Sequence, residues 1–424
     1  MNFSKQLLQI ISFSILPITI LSVIWHPNAQ RDFISNFTNT TFWWIIQSFI
    51  LIAFWQSKKY YFDLTDSKNI VVLMWYLWWN IFSSLRGLFI AENYWDWKQL
   101  VGYTMALLLP VVAYAATNKK IVQSIMSFYI RFTLPLFVIF SFLIATDAFG
   151  DYLVPISFLL LFLPVLTLRW KGVVLLISLL VMTIDLGARS NVIKFALPIL
   201  LSITYYFRTF ISTIHLEIVR KLLFIAPVIL FVLGVTEVFN VFKINEYIKG
   251  EYETTLIDSN GEAVEEDLTV DTRTFLYVEV LQTAKKYDTW WIGRSPARGN
   301  ETEYFSEDDL TGRGERGGNE VAILNIFTWT GIIGVILYFL IFYKASYLAI
   351  NQSNNFFAKL IGIFIAFRWL YAWVEDINYF TLTTFMLWLT LGICFSKSFR
   401  EMSNQEVKYW VSGFFDKKYR LNMK

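Results

Sequence analysis

Apolar residues gather along this chain into long, nearly unbroken runs. Within these runs there is neither the short alternating pattern of a half-buried strand nor the one-face spacing of a surface helix. Twelve runs stand out, near 7–25, 42–56, 70–90, 99–116, 121–145, 152–168, 172–186, 191–207, 221–239, 320–343, 356–374 and 379–396. About 20 mostly apolar residues carry a helix across a bilayer. The pattern therefore predicts an all-α polytopic membrane protein with about twelve transmembrane helices. The second run is short, and only a tight turn separates 172–186 from 191–207. No small-x-small cleavage signal follows the first run before His26-Pro27, so it reads as a retained span.

One long polar stretch interrupts the pattern. Residues 1–239 hold nine of the runs and 319–396 hold three, with 240–318 between them and a basic tail over 397–424. The 240–318 segment carries 17 acidic and 9 basic residues, a net charge of −8. Its parts 246–270 and 295–318 are rich in Gly, Asn, Asp and Glu and read as loop. Between them, Asp271 or Thr272 can cap a helix whose Tyr277, Val280, Leu281 and Ala284 share a face. That face predicts an amphipathic helix lying on the membrane surface, followed by a mobile loop over a cavity. Trp290, Trp291 and Ile292 then return the chain to the membrane.

Composition narrows the class. The 424 residues are 56% hydrophobic and 16% charged, with a mean hydropathy of +0.49. Soluble domains carry about a quarter charged residues, so a soluble single-core protein is excluded, and so is intrinsic disorder. The formal charge of +3 indicates no nucleic-acid partner. Cys394 is the only cysteine, which rules out an intramolecular disulfide and a Cys-rich zinc or redox site. His26 and His215 lie too far apart in the chain to suggest a His-based metal centre. No cofactor and no metal is expected.

The charges carry information through their positions. Loops on one side of the predicted spans hold twelve Lys and Arg residues, among them Lys58, Lys59, Lys119, Lys120, Arg220 and Lys221. The other side holds three, Arg31, Lys98 and Arg189. The positive-inside bias puts both termini in the cytoplasm and the acidic 240–318 segment outside. Trp43, Trp44, Trp95, Trp97, Trp290, Trp291 and Trp373 fall at span ends and read as interfacial anchors.

Ionisable residues at membrane depth are costly and mark functional sites by default. Arg86, Arg131, Lys194, Glu237 and Arg368 lie inside runs; Glu92, Asp185, Arg189, Glu320, Glu375 and Asp376 lie near their outer ends. Arg131, nearer the cytoplasmic end, reads as structural. Arg86, Arg189 and Arg368 are expected to converge on the outer interface with Arg273 and Arg294 from the acidic segment. A guanidinium binds phosphate through two parallel hydrogen bonds and keeps its charge. Such a cluster implies an anionic ligand at the membrane surface, and a lipid-linked diphosphate fits.

At this point the layout resembles the bacterial O-antigen polymerase and ligase superfamily, membrane glycosyltransferases of GT-C-like architecture. Gly187-Ala188-Arg189-Ser190 is similar to the family's small-Arg-Ser turn. Arg273, a helix and then Gly293 resemble the arginine–helix–glycine element of its large loop. Gly318-Asn319-Glu320 running into Asn325 and then Gly331-Ile332-Ile333-Gly334 resembles the entry to the following span. The likeness covers roughly 170–396. Gly331 and Gly334 also read simply as small residues at a helix-packing surface. Where the ligases place a histidine before the asparagine, this chain has Gly318, which favours polymerase over ligase.

The resemblance implies an enzyme that joins undecaprenyl-diphosphate-linked oligosaccharides into O-antigen of lipopolysaccharide, capsule or exopolysaccharide. It would act at the outer face of the cytoplasmic membrane, with a chain-length regulator as a possible partner. Arg189 and Arg273 would grip the departing diphosphate, and Glu320 would accept the proton of the attacking hydroxyl. Arg86, Arg294, Asn319 and Arg368 would bind substrate. The rival from another class is a lipid or polysaccharide transporter, which often carries repeated halves and a mid-membrane site; no repeat is visible.

Overall fold

The structure is a computed structural model. It describes residues 3–24, 40–185, 188–236, 238–240, 242, 253–257, 263–267, 273–304 and 312–421. In chain order its main helices are α1 (Phe3–Ile24), α2 (Thr40–Tyr61), α3 (Ser67–Gly87), α4 (Tyr94–Ala116), α5 (Lys119–Leu143), α6 (Val154–Leu160) and α7 (Leu168–Ile184). There follow α8 (Arg189–Phe207), α9 (Thr213–Val235), α10 (Thr274–Lys286), α11 (Ala322–Asn351), α12 (Phe356–Tyr371), α13 (Leu382–Phe395) and α14 (Asn404–Phe415).

The protein is all-α, with helices suited to a membrane. Among the described residues, α1, α4, α5, α8, α9 and α11 are long and apolar enough to cross a bilayer. Each carries one of the twelve predicted runs. The other six runs fall on shorter or more polar elements. Helices α2 and α3, with 22 and 21 residues, reach about 30 Å at 1.5 Å per residue. Helices α7, α12 and α13 have 17, 16 and 14 residues. The run at 152–168 is not one helix: α6 ends at Leu160 and Leu163–Val165 forms a 3-10 turn around Pro164, whose missing N–H cannot continue an α-helix.

Helix α11 is the central element and is itself broken. Gly331 sits at φ +68°, in the left-handed region, between a turn that begins at Ala322 and the long stretch to Asn351. Residues 290–294 fill the break. Ile332 and Ile333 N–H donate to the Trp290 and Trp291 carbonyls at 2.8 and 3.4 Å, and Arg294 N–H donates to the Thr328 carbonyl at 2.6 Å. Trp79 Nε1 caps the Thr330 carbonyl at 2.9 Å. A Cβ on Gly331 would stand 2.3 Å from the Trp291 carbonyl oxygen, so only glycine permits this approach. Gly334 is equally tight, against Thr330 Oγ1. The two glycines thus admit a non-helical segment and a side chain, where the sequence suggested helix-on-helix contact.

Aromatic rings fill the bundle centre below the break. Tyr338 packs against Tyr76, Phe342, Trp369 and Trp388, all buried. Trp43 is 4% exposed and belongs to this core rather than to an interfacial belt.

Both ends of the described chain lie on one face of the bundle, here the tail face. Tyr61 donates to the Ser4 carbonyl, Asn118 holds the Tyr61 carbonyl at 3.1 Å, and Trp410 of α14 donates to the Lys119 carbonyl at 2.9 Å. The opposite, cap face carries the long polar segment. There α10 turns Leu276, Tyr277, Val280 and Ala284 onto the bundle, much the face the spacing predicts. Tyr277 donates to the Trp373 carbonyl at 2.5 Å. The apolar side of α10 therefore covers protein, where a lipid surface was expected. The cap also contains strand pairing that the sequence read as loop: Glu253–Ile257 pairs with Ala263–Asp267, and Asn300–Glu301 with Glu315–Arg316, both antiparallel. His26, Arg31, Gly187, Glu237, Asp271, Thr272 and the acidic run 307–309 lie outside the described residues.

Candidate functional site

The unusual charges meet at the cap face, in two basins joined by a polar strip. The first basin is a small cavity of about 30 Å³ among α6, α8, α12 and α13. It is lined by Ser157, Lys194, Arg368 and Thr383 above an apolar floor of Phe158, Phe364 and Leu387. Lys194 Nζ lies 3.3 Å from Asp151 Oδ1, which Thr383 also approaches at 3.2 Å. Arg273, the residue before α10, donates from Nε to the Val374 carbonyl at 2.7 Å and lies 3.7 Å from Glu375. Ser190, the second residue of α8, faces the Tyr371 hydroxyl at the end of α12, which brings exposed Arg189 to the same rim.

Arg368 stands apart from these pairs. Its residue is 6% exposed, and among the described residues its guanidinium has neither a hydrogen bond nor a carboxylate within salt-bridge distance. Its guanidinium lies 5.2 Å from the centre of the Tyr371 ring. Among the described residues Lys194 pairs with Asp151 and Arg273 with Glu375, while Arg368 is buried with no such pair. Burying an uncompensated charge costs several kcal/mol, so such groups are found paired or facing an anion.

The second basin lies between the cap and the ends of α3 and α4. It is a cleft of about 620 Å³ lined by Arg86, Tyr287, Arg294, Arg298, Arg313 and Glu315. Its cations are already engaged. Arg86 donates to the Ile292 and Gly293 carbonyls at 2.6 and 3.0 Å. Arg294 holds the Gly299 carbonyl at 2.5 Å and Glu315 at 2.8 Å, stacked on Tyr287. Arg298 bridges Glu92 and Glu315 at 3.2 and 3.7 Å, and Arg313 pairs with Asp96. The predicted single arginine cluster is therefore divided. Arg368 lines one basin, with Arg273 and Arg189 near its rim; Arg86 and Arg294 line the other, where they fasten the cap.

Between the basins runs the polar strip. Asn319 is buried and donates to Asn300 at 3.0 Å, while its N–H reaches Asn325 Oδ1 at 2.6 Å. Asn378 donates to the Ala322 carbonyl at 2.8 Å. Tyr103 stacks on Trp329 at 4.3 Å. Gly318 explains itself here: a Cβ would lie 2.5 Å from the Tyr379 hydroxyl and 2.9 Å from that of Tyr103. Two phenols occupy the space that a histidine at this position would need.

The strip also holds a carboxyl group that the sequence reading left outside its catalytic set. Asp376, in the α12–α13 loop, accepts the Asn378 N–H at 2.9 Å on Oδ1, while its Oδ2 is shielded from solvent and makes no hydrogen bond of standard geometry among the described residues; the Asn325 side chain and the Ile377 N–H stand beside the carboxyl group. Burial raises its pKa to about 7, and burial likewise raises that of neighbouring Glu375. Glu320, the expected proton acceptor, is 51% exposed and 3.4 Å from Arg316. The sequence placed Asp376 near a span end; what it could not show was an oxygen turned away from water. No protein-family profile, no curated protein and no solved structure matches the chain.

Proposed function

We propose that the protein is a membrane glycosyltransferase of the bacterial cytoplasmic membrane, a polymerase of undecaprenyl-diphosphate-linked oligosaccharides. In this reading about twelve helices cross the membrane, both termini are cytoplasmic, and the cap face looks outward. The reading rests on the resemblance stated above and on one physical observation, the buried guanidinium of Arg368 with no carboxylate within salt-bridge distance among the described residues. A diphosphate head group entering from the membrane supplies an anion. Lys194 and Arg273, each already positioned by a carboxylate, flank it, and Arg189 stands at the rim.

The chemistry follows from the charge. A hydroxyl of one oligosaccharide attacks the anomeric carbon of the other, and the carbon–oxygen bond to the diphosphate breaks with its electron pair on the leaving group. Preorganised cations stabilise the charge that develops there. The carrier alternative draws on the break in α11, since transporters bind cargo at broken helices. In this chain residues 290–294 and Trp79 already take up the backbone groups that the break frees, so that site is filled.

The test is reconstitution. Lipid-linked single repeats, extracted from cells lacking the gene, are mixed with the purified protein in nanodiscs. A ladder of longer glycans with one undecaprenyl diphosphate released per link is expected. Transfer of the single repeat to another acceptor lipid indicates the ligase, and movement across vesicles without new linkage indicates the carrier; either result replaces the proposal.

A further inference from the structure

A polymerase must also remove a proton from the attacking hydroxyl, and the sequence assigned that task to Glu320. Glu320 is half exposed and held by Arg316, a setting in which water competes for every proton. Asp376 is better placed. It lies one residue from Glu375, which Arg273 holds at the rim of the diphosphate basin. It also faces Asn325 at the start of α11, beside the strip that leads to the outer cleft. One carboxylate oxygen is fixed by the Asn378 N–H; the other is shielded and, among the described residues, makes no hydrogen bond of standard geometry, with the Asn325 amide beside the group. An acceptor hydroxyl donating to Oδ2 would complete the carboxylate.

We propose, building on the polymerase reading, that Asp376 is the proton acceptor of the transfer step, contacting the attacking hydroxyl through Oδ2. The hydroxyl oxygen bonds to the anomeric carbon as the diphosphate departs with the bonding electrons. The hydroxyl proton passes to Oδ2 and from there to the outer solution once product leaves. No co-reactant is needed beyond the two lipid-linked glycans.

The surroundings fix the expected pH behaviour. Facing Asp376 are Glu375 and Tyr379 on its own loop, Tyr103 of α4 and Tyr338 of α11. Arg316 of the cap and Arg368 of α12 stand behind these tyrosines. Burial raises Asp376 to about 7 and raises Glu375 as well, so both carboxyl groups hold their protons to higher pH than exposed ones do. Protonation removes the acceptor, so turnover falls as pH drops below about 7.

The experiment separates this role from the reading beneath it. Binding of undecaprenyl diphosphate to the full-length protein in nanodiscs is measured beside polymerisation kinetics, for wild type, Asp376→Asn and Asp376→Glu. Asparagine keeps the shape and the bond to Asn378. Asp376→Asn should bind undecaprenyl diphosphate as wild type does while kcat falls about 10²–10⁴-fold, the range of a lost general base. Its remaining activity should lose the acid limb near pH 7. Asp376→Glu should recover part of kcat with a displaced limb. An Asp376→Asn protein with kcat within a few-fold of wild type and an unchanged limb overturns the assignment and leaves the polymerase reading intact. A wild-type protein that neither binds the probe nor polymerises overturns both. Should Asp376→Asn fail to fold, the wild-type profile decides: a kcat flat from pH 5 to 8 overturns the assignment, and a tenfold fall per pH unit below about 7 upholds it.

Discussion

Arg368 carries the central burden at the scale of single residues, because its charge is buried and, among the described residues, no carboxylate lies within salt-bridge distance of it. Two opposite consequences follow from one substitution. Arg368→Leu removes the cost of an uncompensated buried charge and keeps an apolar filling, so the melting temperature should rise in the ligand-free protein. The same variant should lose undecaprenyl diphosphate. Arg368→Lys keeps the charge and loses the planar fork, and should bind at least several-fold more weakly than wild type. A thermal melt with and without the probe reads all three proteins. Gly318 supplies a second residue-scale prediction. Replacing it with histidine drives a side chain into the Tyr379 and Tyr103 hydroxyls, so the change should destabilise the cap and should not convert the protein into a ligase.

Much of this was legible residue by residue, but partnership was not. Arg368 drew notice as an ionisable group inside an apolar run, which is a local signal. Arg86 gave the same signal and has another task, since its donors are taken by carbonyls of residues 292 and 293, some 206 positions away in the chain. Backbone acceptors leave no trace in composition. Asp376 was seen as a span-end carboxylate; the shielding of Oδ2 depends on packing from α11 and α4, which no local pattern encodes.

At the scale of elements, the junction of α11 with residues 290–294 organises the cap. Gly293 and Gly331, both at φ +68°, meet backbone to backbone. Gly331→Ala should destabilise the protein by at least about 1–2 kcal/mol from the left-handed backbone alone, with more from the clash at the Trp291 carbonyl. Limited proteolysis should then cut near 290–298, where the wild type resists. Arg86→Ala should loosen the same segment by removing the two donors that hold its carbonyls, with a smaller loss of melting temperature. The apolar runs gave helix positions well because bilayer-length hydrophobicity is a strong and local signal. They gave breaks poorly. Two glycines three apart suit packing and a kink equally, and only the inserted segment decides between them. The pairing of Glu253–Ile257 with Ala263–Asp267 had a sequence signal in Asn260-Gly261 between β-prone residues; the surrounding acidity masked it.

Over the whole molecule, charge and shape agree. On the tail face Lys119, one of the basic positions assigned to one side of the membrane, donates to the Ser398 carbonyl, and Arg400 to that of Gln352. The acidic cap lies opposite. Cys394 is buried and is the only cysteine, so the natural chain is a quiet background for labelling. A cysteine at exposed Glu303 should react with a membrane-impermeant maleimide in intact cells, and one at exposed Lys68 only after lysis. The reverse pattern would turn the basins towards the cytoplasm and remove the lipid-diphosphate reading.

The central claim is that the cap-face basin around Arg368 holds a lipid-linked diphosphate, and equilibrium binding of undecaprenyl diphosphate to the nanodisc-embedded protein tests it most directly. Wild type should bind the lipid in a saturable way, and Arg368→Leu should weaken it about 10–100-fold, as expected for the loss of a charge-assisted hydrogen-bond pair worth roughly 1.5–3 kcal/mol. Equal affinities in a folded Arg368→Leu protein and wild type, or no saturable binding by wild type, would contradict it.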